Sequence, residues 1–261
     1  MSLPGPYVDF DEGGVVAQSL VRAVGVVAGG FLVLIVFQSL FFALAGIESA
    51  AQLRQAPTLW AAASALPGLS FGVAAVAYVR ARDESLFEVG VPTPRQVGIV
   101  VVGFLALVVV NQLMQGVLSV LSTLLSELFG VTVDAGQSSV VTTLQANPWV
   151  VALAIPVTIL FVAPGEELLF RGVVQGLLRR STGTVPAIVG AGLLFGSIHL
   201  VSIESGDGWT YVLVATVLGI VLGTLYEYTE NLVVPIAVHG LWNSALFLLI
   251  YSQATGASLP V

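Results

Sequence analysis

The sequence predicts an all-α protein, a polytopic bundle of about seven membrane-spanning helices. Three observations carry that prediction. Hydrophobic residues make up 57% of the 261 residues and charged residues only 9%, where a soluble domain carries roughly 25%. Mean hydropathy is +1.00. The apolar residues also fall in continuous runs, about twice the length of the ~10-residue alternating segments that build membrane β-barrels. At ~20 apolar residues per span, the length allows six to eight helices.

Seven runs are long enough to cross a bilayer: Val21–Ile47, Leu59–Val79, Val97–Leu128, Trp149–Leu178, Val185–Ile203, Trp209–Tyr228 and Leu232–Tyr251. The third is over-long and calls for tilt or protrusion. The fourth holds Pro164 and Gly165, where a kink is expected. Trp60, Trp149 and Trp209 stand near span ends, as in an aromatic belt. Val131–Asn147 and Glu204–Gly208 read as short polar loops. Gly192/Gly196 and Gly219/Gly223 have the small-xxx-small spacing of close helix packing.

Residues 1–14 read as a disordered acidic tail and residues 15–261 as one membrane domain. The tail carries Asp9, Asp11 and Glu12 and no base, and the apolar run behind it is too long for a secretory signal. All eight basic residues are arginine. With the N-terminus inside, Arg22, Arg80, Arg82, Arg95, Arg179 and Arg180 flank the inner ends and only Arg54 an outer one. The positive-inside bias therefore predicts a cytoplasmic N-terminus in the cell membrane. A net charge of −7 argues against a nucleic-acid partner. The absence of cysteine excludes disulfides, thiol nucleophiles and iron–sulfur clusters.

The informative residues are polar ones inside the spans. An ionisable group at the bilayer centre costs about 2.5–3.5 kcal/mol, so such groups face protein or water and mark function. The fourth span carries Glu166, Glu167 and Arg171, the fifth His199, and the seventh His239 and Asn243. Glu167 and Arg171 stand at i,i+4 and can neutralise each other. Glu166, rotated by about 100°, is left without a cation on its own helix. His239 and Asn243 share a face, and Phe195 shares one with His199, where it can pack over the imidazole. Glu166, His199, His239 and Asn243 are then four unpaired polar groups that must converge. Counted along the helices at ~1.5 Å per residue, Glu166 lies ~21 Å from Arg180 and His239 ~11 Å from Leu232. A fourth helix projecting into the cytoplasm reconciles the two and puts the site in the cytoplasmic half of the membrane.

A carboxylate and an imidazole facing one water can deprotonate it and later protonate a leaving amine. A His and an Asn can donate to a developing oxyanion. Alternatively, Glu166, His199 and His239 can form a His₂Glu zinc site with one open position. The residue types allow both.

Ala163-Pro164-Gly165-Glu166-Glu167-Leu168-Leu169-Phe170-Arg171 resembles the EExxxR motif of the CAAX-processing and bacteriocin-immunity membrane proteases. This is the CPBP or ABI family, the type II CAAX prenyl endopeptidases. Phe195-Gly196-Ser197-Ile198-His199 resembles its FxxxH motif and His239-Gly240-Leu241-Trp242-Asn243 its HxxxN motif. The matched core covers about 148–251, and the first three spans carry no motif. The resemblance implies a helical bundle around a polar cavity open to the cytoplasmic side. It also implies that Glu166 and His199 activate water, that His239 and Asn243 stabilise the oxyanion, and that Glu167, Arg171 and Phe195 hold the site together. Membrane lipids and a peptide or protein substrate, in some members a prenylated C-terminus, are the implied partners. A non-catalytic immunity or scaffold protein of the same fold is the alternative. HExxH and G-x-S-x-G are absent, and all five aspartates fall outside the spans. Ser197 and Trp242 read as packing, Glu227 and Glu230 as solvated, and Arg179 and Arg180 as topology anchors.

Overall fold

The computed structural model describes residues 13–131, 137–206 and 208–257. The predicted tail lies outside them, apart from Gly13 and Gly14, which open the first helix. The helices are α1 (Gly13–Ala45), α2 (Ala50–Arg54), α3 (Pro57–Ala63), α4 (Leu66–Arg82), α5 (Pro94–Phe129), α6 (Ser139–Ala146), α7 (Val151–Val157), α8 (Ala163–Glu167), α9 (Gly176–Thr182), α10 (Thr184–Ile198), α11 (Trp209–Thr229) and α12 (Val233–Thr255). Among the described residues seven helical runs are long and apolar enough to cross a membrane. α1, α5, α10, α11 and α12 account for one span each. α3 with α4 makes the second, and α7 through α9 the fourth.

Three segments depart from expectation. α1 starts at Gly13 rather than Val21, which places Arg22 ~14 Å along a helix instead of at its mouth. The expected loop 131–147 contains α6 and a β-strand, β1 (Gln137–Ser138), which pairs antiparallel with β2 (Ile203–Ser205). α6 forms because Ser138 caps it, its hydroxyl accepting from the Val141 amide. The fourth span does not simply kink at Pro164. It widens into π-helix over Thr158–Val162 and again over Leu168–Gln175, on both sides of α8. A wider turn absorbs the ring and the missing N–H of proline, and such segments recur at functional sites.

Large apolar side chains such as Leu40, Val102, Leu113 and Leu160 are exposed on the outer surface, as a lipid-facing shell requires. Between helices, small residues set the approach. α4 and the fourth span cross backbone to backbone: a Cβ on Gly165 of α8 would collide with the main chain of Gly68, and one on Gly68 with that of Phe161 and Val162 just before α8. α10 and α11 meet at Gly192 and Gly196, against Ile220, Thr216 and the Val212 carbonyl. The small-residue spacing read in the sequence is therefore a packing feature, as expected.

Contacts between loops sort the bundle into two ends. At one end Arg54 pairs with Glu204 at 3.1 Å, and Glu204 also accepts from Thr142. These tie together the connections after the first, third and fifth spans. At the other end Arg180 pairs with Glu84, Arg179 with Glu227, and Asn231 bonds to Gly90. That end also carries Arg80, Arg82 and Arg95, so the arginine asymmetry is an asymmetry of two physical faces. Glu227, read as solvated, instead accepts from Gln175 and Arg179.

Candidate active site

The fourth span is stitched to α11 by a ladder at four-residue spacing. Arg171 donates to the Gly219 carbonyl at 2.9 Å and Gln175 to the Gly223 carbonyl at 3.1 Å. Arg179 then reaches Glu227 at 2.8 Å. Gly219 and Gly223 are required here because an added Cβ would run into Arg171 and Phe195 at the first and Gln175 at the second. Bare glycine carbonyls thus satisfy buried donors where no water is available.

Glu167 and Arg171 form the expected i,i+4 ion pair, at 2.9 Å, with side chains 0% and 1% exposed. The pair is not self-contained. Glu167 Oε1 also lies 2.8 Å from His239 Nδ1. A carboxylate oxygen accepts, so Nδ1 carries the proton and Nε2 is the ring nitrogen left for chemistry. His239 is therefore partnered, contrary to the reading of four unpaired groups, and Glu167 is the residue that orients it. The sequence pattern hid this contact because the two residues are 72 positions apart.

His199 is fixed in the same sense by a different device. Its Nδ1 lies 2.8 Å from the Phe195 carbonyl of its own helix. A carbonyl only accepts, so here too the proton sits on Nδ1 and Nε2 is free. Phe195 meets the imidazole edge-on, with centroids 4.9 Å apart, rather than stacking over it. The same ring approaches His239 at 5.9 Å and carries the Arg171 guanidinium over its face at 4.4 Å. Edge contacts run back from Phe195 through Phe170 and Phe71 to Phe31 on α1. Phe195 is thus the hub that locks both imidazoles and the arginine.

Asn243 donates from Nδ2 to Thr158 Oγ1 at 3.1 Å, which leaves its second N–H. Thr158 sits in the first π segment and escaped the sequence reading. So did Tyr211, two residues into α11, whose ring meets that of His199 at 5.6 Å.

His199, His239, Asn243 and Phe195 all line one cavity of about 450 Å³. Trp242 and Tyr211 line it as well, as does a row of polar residues on α5. Glu166 stands behind this wall, 8% exposed, with Oε2 3.9 Å from His239 Nε2. It lies within electrostatic reach of both His199 and Tyr211. Ser197 Oγ is bonded back to the Leu194 carbonyl, as a packing residue would be.

Glu166, His199 and His239 have the donor atoms of a His₂Glu zinc centre. As placed they do not form one: among the described residues no three of His, Asp and Glu are grouped closely enough to hold a metal ion.

The cavity lies toward the Arg54 end. His199 is one turn before β2, and Tyr211 opens α11 just after it. With the arginine-rich end in the cytoplasm, the cavity would therefore lie nearer the opposite face of the bundle.

Residues 148–245, which contain all three motifs, match the family described as type II CAAX prenyl endopeptidase, Rce1-like. The motif-bearing part of the chain is therefore similar to that family of prenyl endopeptidases. A Bacillus subtilis (strain 168) protein named uncharacterized protein YpbD is 34% identical over 80 residues. That similarity covers 31% of this chain and 36% of the relative, so the chain spans about a third of the length of the relative it matches. No solved structure matches.

Proposed function

We propose, from the Rce1-like region, that this chain is an intramembrane endopeptidase in which Glu166 and His199 activate water and His239 and Asn243 stabilise the oxyanion. The observation that carries the reading is the convergence of two imidazoles, each with Nδ1 pinned, on one cavity beside a buried carboxylate. A water held by His199 Nε2 gives its proton to the Glu166 carboxylate. The resulting hydroxide adds to the scissile carbonyl carbon. The negative oxygen is met by the free N–H of Asn243 and by His239. Because His239 Nδ1 is committed to Glu167, its Nε2 donates only when the ring carries both protons, with the Glu167 carboxylate as counter-charge. Collapse of the tetrahedral intermediate breaks the C–N bond, and Glu166 returns the proton to the leaving amine. No step is routed through a metal. A prenylated C-terminus is one substrate to be tried.

The test is cleavage by the purified protein in liposomes, with a farnesylated CaaX peptide and a pool of membrane-derived peptides. New termini are read by mass spectrometry. Wild type is expected to produce termini that Glu166→Gln does not, at unchanged melting temperature, with or without chelator. Loss of cleavage on chelation would replace the water-activating carboxylate with a zinc-bound water. Identical peptide pools from folded wild type and Glu166→Gln would favour an immunity or scaffold role.

The side of the membrane is decided by single cysteines in a chain that has none. The arginine bias predicts that an impermeant maleimide labels Gln55→Cys and spares Ser85→Cys in intact cells. The reverse pattern would turn the cavity, and the reaction, to the cytoplasm.

A further inference from the structure

The cavity has a wall that belongs to none of the three motifs. Along α5, Asn111, Gln115, Ser119 and Ser122 follow one another at spacings of four, four and three, and all four line the same cavity as the two imidazoles. Residues on the other faces of the same stretch, Leu113, Val117, Val120 and Leu124, are apolar and exposed. A polar stripe in a membrane helix is costly unless something bonds to it. Among the described residues the side-chain bonds of this stripe amount to a single long contact, Asn111 Nδ2 to Gln112 Oε1 at 3.4 Å. The primary amides of Asn111 and Gln115 are thus turned to the cavity with donors and acceptors available.

The composition of the lining says what they take. Apart from the two histidines, none of the lining residues is ionisable at neutral pH, and the α11 wall offers Val214, Ala215, Leu218 and Leu222. Along the stripe itself no group is charged, and a charged side chain laid against it would be left unpaired. Side-chain amides alternate donor and acceptor as a peptide backbone does. The stripe runs ~16 Å along the helix, the reach of about five residues of extended chain. A helical segment could not use it, because its own N–H and C=O groups are already paired.

We propose that the α5 stripe is the substrate-binding wall. It takes about five residues of an uncharged polypeptide segment in extended form, by hydrogen bonds from Asn111 and Gln115 to its backbone. The scissile carbonyl is thereby presented to His199, His239 and Asn243. This rests on the peptidase reading for the identity of the ligand but is tested without turnover.

The experiment measures binding of fluorescent ten-residue peptides to Glu166→Gln protein in nanodiscs, against empty nanodiscs. The peptides are an uncharged sequence, the same with one central lysine, and the same with two central backbone amides N-methylated. The uncharged peptide is expected to bind, and lysine or N-methylation to weaken it at least tenfold. Asn111→Leu/Gln115→Leu, which suits a membrane helix, is expected to weaken it equally and to erase the difference between methylated and unmethylated peptide. In otherwise wild-type protein the same pair is expected to raise KM with kcat little changed. Equal binding of all three peptides, no binding by any, or unchanged binding by the α5 variant would each overturn the proposal. Backbone-dependent binding with no cleavage by wild type would keep it and sink the peptidase reading instead.

Discussion

The third and fourth spans have nearly the same length, 36 and 35 residues, and meet the membrane in opposite ways. α5 is one unbroken helix. Thr93 and Gln96 close a capping box around its first turn, Pro94 sits at its first position, and Gly130 ends it at φ 67°. The polar residues of its inner stretch, Asn111 to Ser122, are uncharged and find almost no partner among the described residues. The fourth span is broken into α and π segments and carries three ionisable groups at its centre. Glu167 and Arg171 are satisfied from other helices as well as from each other. Local sequence makes α5; tertiary contacts make the fourth span. Charge in the membrane is tolerated where several helices converge on it, and irregular backbone lets them converge.

That contrast can be broken most severely at the α4–α8 crossing. Gly165→Ala is expected to yield little monodisperse protein in detergent, since backbone on both sides cannot move away and the strain exceeds the ~1–3 kcal/mol of ordinary overpacking. A normal yield and melting curve would show that the two helices can separate freely. Arg171→Ala leaves Glu167 buried beside His239 without its cation and is expected to cost about 3–5 kcal/mol, read as a lower melting temperature. Replacing both partners, as Glu167→Leu/Arg171→Met, should recover most of that loss but not activity, because His239 loses the acceptor that fixes its ring. If the double variant were fully active, orientation by Glu167 would be wrong. The smallest effect belongs to α5. Thr93→Ala removes only a cap and is expected to cost about 1 kcal/mol, with cleavage unchanged. A large loss there would mean that the fold depends on the third span more than its exposed flanks suggest.

How far the site could be read in advance follows the same division. Glu167–Arg171 and Phe195–His199 were legible because helical periodicity alone puts residues four apart on one face. Of the four groups named as a candidate site, His199, His239 and Asn243 line one cavity and Glu166 stands behind its wall, 3.9 Å from His239. What periodicity could not show is which partner each chooses across helices. His239 takes Glu167, Asn243 takes Thr158, and Arg171 takes the bare carbonyl of Gly219. The α5 stripe was visible as polar residues at i and i+4 in an apolar run, but only the cavity gives it meaning. Arg22 and the 131–147 segment show the limits of reading span ends from hydropathy: α1 runs back to Gly13, and a serine cap rather than apolarity starts α6.

The sequence by itself determined the class of the protein, the approximate positions of its spans and the residues whose chemistry is out of place in lipid. These follow from transfer free energies and from a 3.6-residue period, both local properties. Only the tertiary structure decided which nitrogen of His239 is free, that Glu167 orients it, and at which end of the bundle the cavity lies. Those depend on contacts between residues 40 to 90 positions apart, which are set by how closely glycine-faced helices can approach and by the two π segments that turn the fourth span toward its neighbours.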